Sequence, residues 1–273
     1  MSGPRTADGA AVPILMYHAV AHEPRDATRR LSVTPAAFAE QMAILAENRC
    51  TPLTTAELAG IWRGGGRVLP DRPVLITFDD GYEGVHRYAL PALAEHGFPA
   101  TLFVSTGWLR GPHDTGGGLD TMLDWGQVRE LAAQGVEIGG HSHTHPQLDQ
   151  LDDEDLRFEL HRSAEIVADE LGAAPASFAY PFGHSDRRVR RAVRAAGFAQ
   201  SLAVGNGLAR RRQGPYALQR VTVRRSTGAA EFERLVEGRA IGRTFAMDRA
   251  LTKGYAVVRR ARQARRKAIR TRG

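Results

Sequence analysis

Two short stretches of this 273-residue chain concentrate groups that could do chemistry. The first is Val74-Leu75-Ile76-Thr77-Phe78-Asp79-Asp80-Gly81-Tyr82, an apolar strand-like run that ends in two adjacent carboxylates and a glycine. Side chains alternate along an extended chain, so Asp79 and Asp80 cannot face the same way while the strand continues. Gly81 permits a sharp turn directly after them. Two carboxylates at such a mouth repel each other and lose hydration unless a cation or a proton intervenes. The second stretch is Gly139-Gly140-His141-Ser142-His143-Thr144-His145-Pro146. Imidazole is a common ligand for zinc and similar divalent ions. In an extended chain all three histidines share a face; in a helical turn His141 and His145 do and His143 points away. The flanking glycines and proline suit a turn and favour His141 and His145. One carboxylate plus two imidazoles makes a three-point cation site with open positions, and the second carboxylate is then free to act as a general base. That combination suits hydrolysis of a carbonyl compound.

The surrounding sequence must position these groups. Val12 to Val20, Val74 to Phe78, Ala100 to Ser105, Gly135 to Gly140, Ser177 to Pro181, Phe198 to Val204 and Leu218 to Val223 read as strands. Helical patterns stand between them, as at residues 84–96, 125–134, 152–171 and 186–196. Alternation of this kind predicts a parallel α/β architecture. No GxGxxG follows the first strand, which argues against a dinucleotide fold. A distorted (β/α) barrel of about seven parallel strands in a single domain is expected, though periodicity does not by itself separate it from an open sheet. Tyr17 and His18 close the first strand; a lone histidine there reads first as structural. Gly107 to Leu119 reads as a surface loop and candidate lid.

Composition excludes several classes. A single cysteine, Cys50, rules out a disulfide framework or a cysteine-rich zinc site. The formal charge is +7, but residues 253–273 hold nine Lys or Arg and no acid, so the body without them carries −2. Basicity belongs to a tail and not to a nucleic-acid-binding face. The tail is expected to be an appendage that meets an anionic membrane surface; no nucleic-acid partner is expected. Met1 to Gly9 lacks an apolar core of signal-peptide length, and no stretch reaches membrane-span length, giving the expectation of a cytoplasmic protein, peripheral at the membrane. The expected organisation is a disordered 1–11, a domain over 12–240 and a basic tail over 241–273.

Thr77-Phe78-Asp79-Asp80-Gly81, followed by His141-Ser142-x-x-His145 and by Phe178-Ala179-Tyr180-Pro181-Phe182-Gly183, resembles the polysaccharide deacetylases of carbohydrate esterase family 4, the NodB-homology domain. The resemblance covers roughly residues 12–225. It implies a distorted barrel that removes acetyl groups from N-acetylated sugars with a divalent metal, most commonly Zn2+, with Co2+, Ni2+ or Fe2+ as alternatives. On it, Asp79 resembles the general base, and Asp80, His141 and His145 the metal ligands. Tyr180 matches the position whose backbone N–H helps bind the oxyanion. Two departures stand out. No arginine precedes Tyr180 to orient the base, for which Arg220 is the substitute, and no C-terminal Leu-x-His supplies the acid. The Ile14-Leu15-Met16-Tyr17-His18 start resembles the poly-N-acetylglucosamine deacetylase-like subgroup, in which an N-terminal histidine takes the acid's place; His18 is the expected acid and His184 the second candidate. The expected partner is an N-acetylated glycan. Two other readings are hydrolysis of another non-peptide C–N bond and a catalytically inactive glycan-binding relative.

Overall fold

Seven parallel strands follow one another round a closed barrel in a computed structural model that describes residues 10–248 together with 250, 251, 254, 255 and 259. They are β1 (Ile14–Tyr17), β2 (Pro73–Phe78), β3 (Thr101–Val104), β4 (Glu137–Gly140), β5 (Ser177–Ala179), β6 (Gln200–Val204) and β7 (Leu218–Thr222). Each pairs with the next, and β7 closes on β1 through Val221↔Leu15 and Thr222↔Met16. The closed parallel barrel read from the sequence is the observed one, in a single domain. One strand of the barrel sheet lay outside that reading: Thr51–Leu53 pairs with the start of β2 on the side that β3 takes further along. It distorts the barrel by splitting that seam between two partners. Ala11–Val12 pairs antiparallel with Ala209–Arg210.

The period of two decides which side chains meet the barrel axis. Ile14, Leu75, Phe103, Ala179, Leu202 and Leu218 form one buried cluster inside. Leu15, Tyr17, Val74, Ile76 and Phe78 belong to another, which packs on the surrounding helices. Along β2 the inward set continues from Leu75 to Thr77 and then to Asp79; along β7 it runs from Leu218 to Arg220 and Thr222. The fold therefore sends Asp79 and Arg220 into the same interior. Towards the lower end of the barrel a half-buried carboxylate ties neighbouring elements together: Glu137 accepts from Ala56 N–H (2.8 Å), Ser177 Oγ (2.6 Å) and Thr101 Oγ1 (3.1 Å).

The helices are capped as their sequences direct. Thr54 and Glu57 make a reciprocal capping box at Thr55–Trp62, and Asp124 and Gln127 another at Trp125–Ala133. Asp152 caps the long Asp153–Leu171 helix, which Gly172 ends in the left-handed conformation (φ 76°). The helix read over 84–96 begins with a wider turn, Val85–Ala89, before Leu90–Glu95. Past the barrel, Ile241 and Phe245 pack with Val221 and Leu235. The basic run from Val257 to Arg272 lies outside the described residues except for Arg259. No helix among the described residues is long and apolar enough to cross a membrane.

Candidate active site

Both acidic residues reach the C-terminal mouth of β2, the end at which barrels of this kind carry their chemistry. The geometric conflict between neighbours is solved by the backbone. Asp80 takes φ 76° and Gly81 φ 100°, so the chain reverses immediately after Asp79. Aspartate is among the few residues that tolerate this region. A Cβ at Gly81 would stand 2.7 Å from Leu109 Cδ2, so glycine is required twice over, by space and by φ. Asp79 keeps the inward direction of the strand; Asp80 is turned towards the histidine loop.

Asp79 is clamped by Arg220. Nη1 donates to Oδ1 at 2.6 Å and Nη2 to Oδ2 at 2.7 Å, with both side chains buried. Such two-point ion pairing fixes a carboxylate in orientation as well as in charge. The guanidinium lies over the Phe103 ring, 5.6 Å from its centroid. Phe103 in turn occupies the space of a missing side chain at Gly139, where a Cβ would stand 2.5 Å from the ring. Burial pushes the Asp79 carboxyl up; the Arg220 guanidinium, with His141, outweighs burial and holds it below the usual carboxylate value.

Asp80, His141 and His145 converge. Oδ1 of Asp80 lies 3.3 Å from Nε2 of His141 and 3.3 Å from Nε2 of His145, and it is buried with no hydrogen-bond donor. The three potential ligand atoms all fall within 4.8 Å of one another. Two donors about 2.1 Å from one tetrahedral ion stand about 3.4 Å apart, so this spacing fits a divalent cation. The tautomer is set by Ala179, whose carbonyl accepts from His141 Nδ1 at 2.7 Å and leaves Nε2 as the lone pair facing Asp80. Burial pushes the Asp80 carboxyl up, but the imidazoles of His141 and His145 overcome it and hold the group well below the usual range.

His143 turns away and meets Thr106 Oγ1 at 2.9 Å. Left-handed residues at Ser142 (φ 65°) and His145 (φ 60°) shape this loop. Its anchor is Glu159, absent from the sequence reading. Glu159 Oε2 accepts from the N–H groups of His143 and Thr144, each at 2.8 Å, and Oε1 from Thr144 Oγ1 at 2.5 Å. A signal existed: Glu159 lies between Leu156 and Leu160 on the buried face of its helix, where an acid has to be paired.

His18 joins Asp79, Asp80, His141 and His145 in lining one cleft of ≈ 360 Å³. Its Nδ1 is buried without a partner. Burial lowers its pKa, against the opposing pull of Asp80 and Asp79. His184 does not line this cleft. It stacks near Phe182 and Tyr255, and burial, then Arg259, pushes it down to about 4.

Tyr180 requires a correction. Its N–H continues the strand ladder and donates to Leu202 O at 3.0 Å, and its hydroxyl pairs with Ser201 Oγ at 2.6 Å. A donor engaged in the ladder is not available to an oxyanion, and the ring is buried against Phe178. The residue that reaches the cleft is Phe182, two positions on, in a left-handed turn (φ 58°) whose ring packs on His145 with centroids 4.8 Å apart. Also unforeseen were Tyr82, whose buried phenol faces Asp80, and Arg224 and Asp248, paired at 2.6 Å in the cleft wall.

Comparison with known proteins bears on the family and the fold. Residues 66–201 match the family model described as polysaccharide deacetylase. YxkH of Bacillus subtilis, whose name places it among polysaccharide deacetylases, is 28% identical over 233 residues, covering 85% of this chain and 78% of the relative. The poly-beta-1,6-N-acetyl-D-glucosamine N-deacetylase of Escherichia coli K12 is 34% identical over 136 residues, 47% of this chain but only 20% of that longer protein. In fold, the chain is similar to the Streptococcus pyogenes deacetylase PplD, solved with acetate: TM-score 0.74, 22% identity, covering 84% of this chain and 98% of that one. Motif order, barrel and matched family model together make this chain a member of the polysaccharide deacetylase family.

Proposed function

We propose that this chain is a divalent-metal-dependent hydrolase that removes N-acetyl groups from an N-acetylated saccharide and releases acetate. The observation that carries the reading is the joint placement, in one cleft, of an arginine-clamped carboxylate and an Asp-His-His cluster spaced for a cation. Asp80, His141 and His145 would hold the cation, with Zn2+ the first choice for two imidazoles and one carboxylate. When bound, such an ion polarises an amide carbonyl and acidifies water. The chain's own groups do the rest. Asp79, kept ionised by Arg220, takes a proton from the attacking water. Arg220 holds the two oxygens in a fixed plane, so the accepting lone pair is aimed before substrate arrives. His18 gives a proton to the leaving sugar amine; it is the imidazole in the cleft that is not in the cation cluster. Phe182, which directly follows Pro181 and stands at the cleft, is the residue whose N–H we assign to the developing oxyanion, a donor worth about 3 kcal/mol of transition-state stabilisation. Membrane attachment through the basic tail and a cytoplasmic location remain part of the proposal, tested by co-sedimentation with anionic vesicles.

The test is acetate release from N-acetylglucosamine oligomers by chelated protein to which zinc, cobalt or nickel is returned. Release that depends on the cation supports the reading. No release from any acetylated sugar, with cation stoichiometrically bound, moves the assignment to another C–N bond.

A further inference from the structure

Three of the seven large apolar side chains exposed in the described structure line this cleft, Leu119, Phe182 and Leu251, and two others, Met247 and Tyr255, lie in the same C-terminal segment as Leu251. Leu119 (45% exposed), Phe182 (52%) and Leu251 (66%) line the cleft itself. Met247 (77% exposed) adjoins Asp248, which also lines it, and Tyr255 lies against His184, next to Phe182. Concentration of exposed apolar groups at one mouth marks a surface that meets something apolar.

The C-terminal residues are held there by charge. Asp248 pairs with Arg224 at 2.6 Å, and Arg259 pairs with Asp149 at 3.3 Å, just past the histidine loop. The first contact lies in the wall of the cleft that Leu251 also lines. Inside the cleft Met16, Leu31 and Val204 stand among polar Thr28, Asn206, Thr222, Arg224 and Asp248, which can serve a sugar. Sugar hydroxyls need such donors and acceptors; the exposed aliphatic carbon of Leu119 and Leu251 offers neither.

We infer that the rim formed by Leu119 and Leu251 is an aglycone site, and that the substrate is an N-acetylated sugar joined to an alkyl or isoprenoid-type chain. The inference rests on the deacetylase reading for its sugar half. Its apolar half rests on continuity: the rim and the catalytic groups line one cleft, so a single molecule with a sugar end and an apolar end fills both. The acetamido group sits at Asp79 and the chain leaves across the two leucines.

The experiment uses the full chain and N-acetylglucosamine glycosides with methyl, butyl and octyl aglycones, kept below the micelle threshold. Binding is read by tryptophan emission, since the Trp108 ring lies against His145 at 4.5 Å between centroids; acetate release is read in parallel. Each fully buried methylene adds about threefold to fourfold in affinity, so octyl should bind at least about tenfold more tightly than methyl. The double variant Leu119→Ser/Leu251→Ser should reduce that ratio below about threefold. Both side chains are exposed, so the fold is not at stake. Equal affinity for methyl and octyl overturns the inference, and so does an unchanged ratio in the double variant. A preference that appears only with anionic vesicles present also overturns it, by assigning the rim to a membrane surface. Octyl preference without acetate release keeps the aglycone site and rejects the deacetylase reading; acetate release without preference does the reverse.

Discussion

Arg220 grips both carboxylate oxygens of Asp79, at 2.6 and 2.7 Å, from a strand 141 residues further along the chain. The pair is buried, so neither charge has water to fall back on. Arg220→Gln leaves the carboxylate unpaired, at a cost of about 3–5 kcal/mol of stability. Burial is then opposed only by the neighbouring imidazoles, His141 first, and the Asp79 pKa rises. The ionised fraction at a given acidic pH falls, so the acidic limb of kcat/KM moves to higher pH. Denaturant melts and a pH–rate profile check both parts.

The cation cluster makes a separate prediction. Asp80→Asn removes the charge from the only carboxylate among the three candidate ligands and should abolish stoichiometric zinc uptake, whereas Asp79→Asn should retain it. Cation binding to the native chain also raises stability by mass action, about 2.7 kcal/mol at a hundred times the dissociation constant. A zinc-dependent rise in Tm in wild type and Asp79→Asn, and its loss in Asp80→Asn, is the expected pattern.

Two histidines compete for the role of acid, and position separates them. His18→Gln should lower kcat by about 10²- to 10⁴-fold. His184→Gln should leave turnover within a few-fold, because His184 does not line the cleft. Its signature is in stability. His184 is held down to about 4 in the folded chain against an ordinary 6.5. The unfolded chain takes up its proton first as pH falls, so this contribution is complete above about 6.5 and is lost between there and about 4. His184→Gln should flatten the acid-side decline of Tm over that window.

Glu159 acts on the site through the backbone. Glu159→Gln should weaken zinc affinity about 10- to 100-fold, the usual effect of loosening groups behind the ligands. Calorimetric titration of zinc checks it. An unchanged affinity would show that the loop holds its shape without the carboxylate.

Much of this was legible because it is local. The strand ends, the acid pair and the histidine spacing are each contained within a few residues, where alternation and turn chemistry operate. The parallel α/β architecture followed from strand–helix alternation, whereas its closure into a barrel leaned on the resemblance. The Arg220 partnership was reached only through resemblance, since a contact across 141 residues leaves no periodic trace. The error at Tyr180 has the same origin: whether a backbone N–H is free depends on the neighbouring strand, here Leu202. Thr51–Leu53 escaped because three residues containing Pro52 carry no alternation. Arg224 and Asp248 escaped because each looks like an ordinary surface charge until the chain beyond the barrel returns to the cleft.

The central claim is that Asp79 acts as base in a cation-dependent deacetylation. The most direct measurement is acetate release from N-acetylglucosamine oligomers by chelated wild type and Asp79→Asn, before and after one equivalent of zinc. The account predicts release only from zinc-loaded wild type, with the variant binding zinc equally and turning over at least about 10²-fold more slowly. Equal turnover by the zinc-loaded variant, or full activity in the chelated wild type, would contradict it.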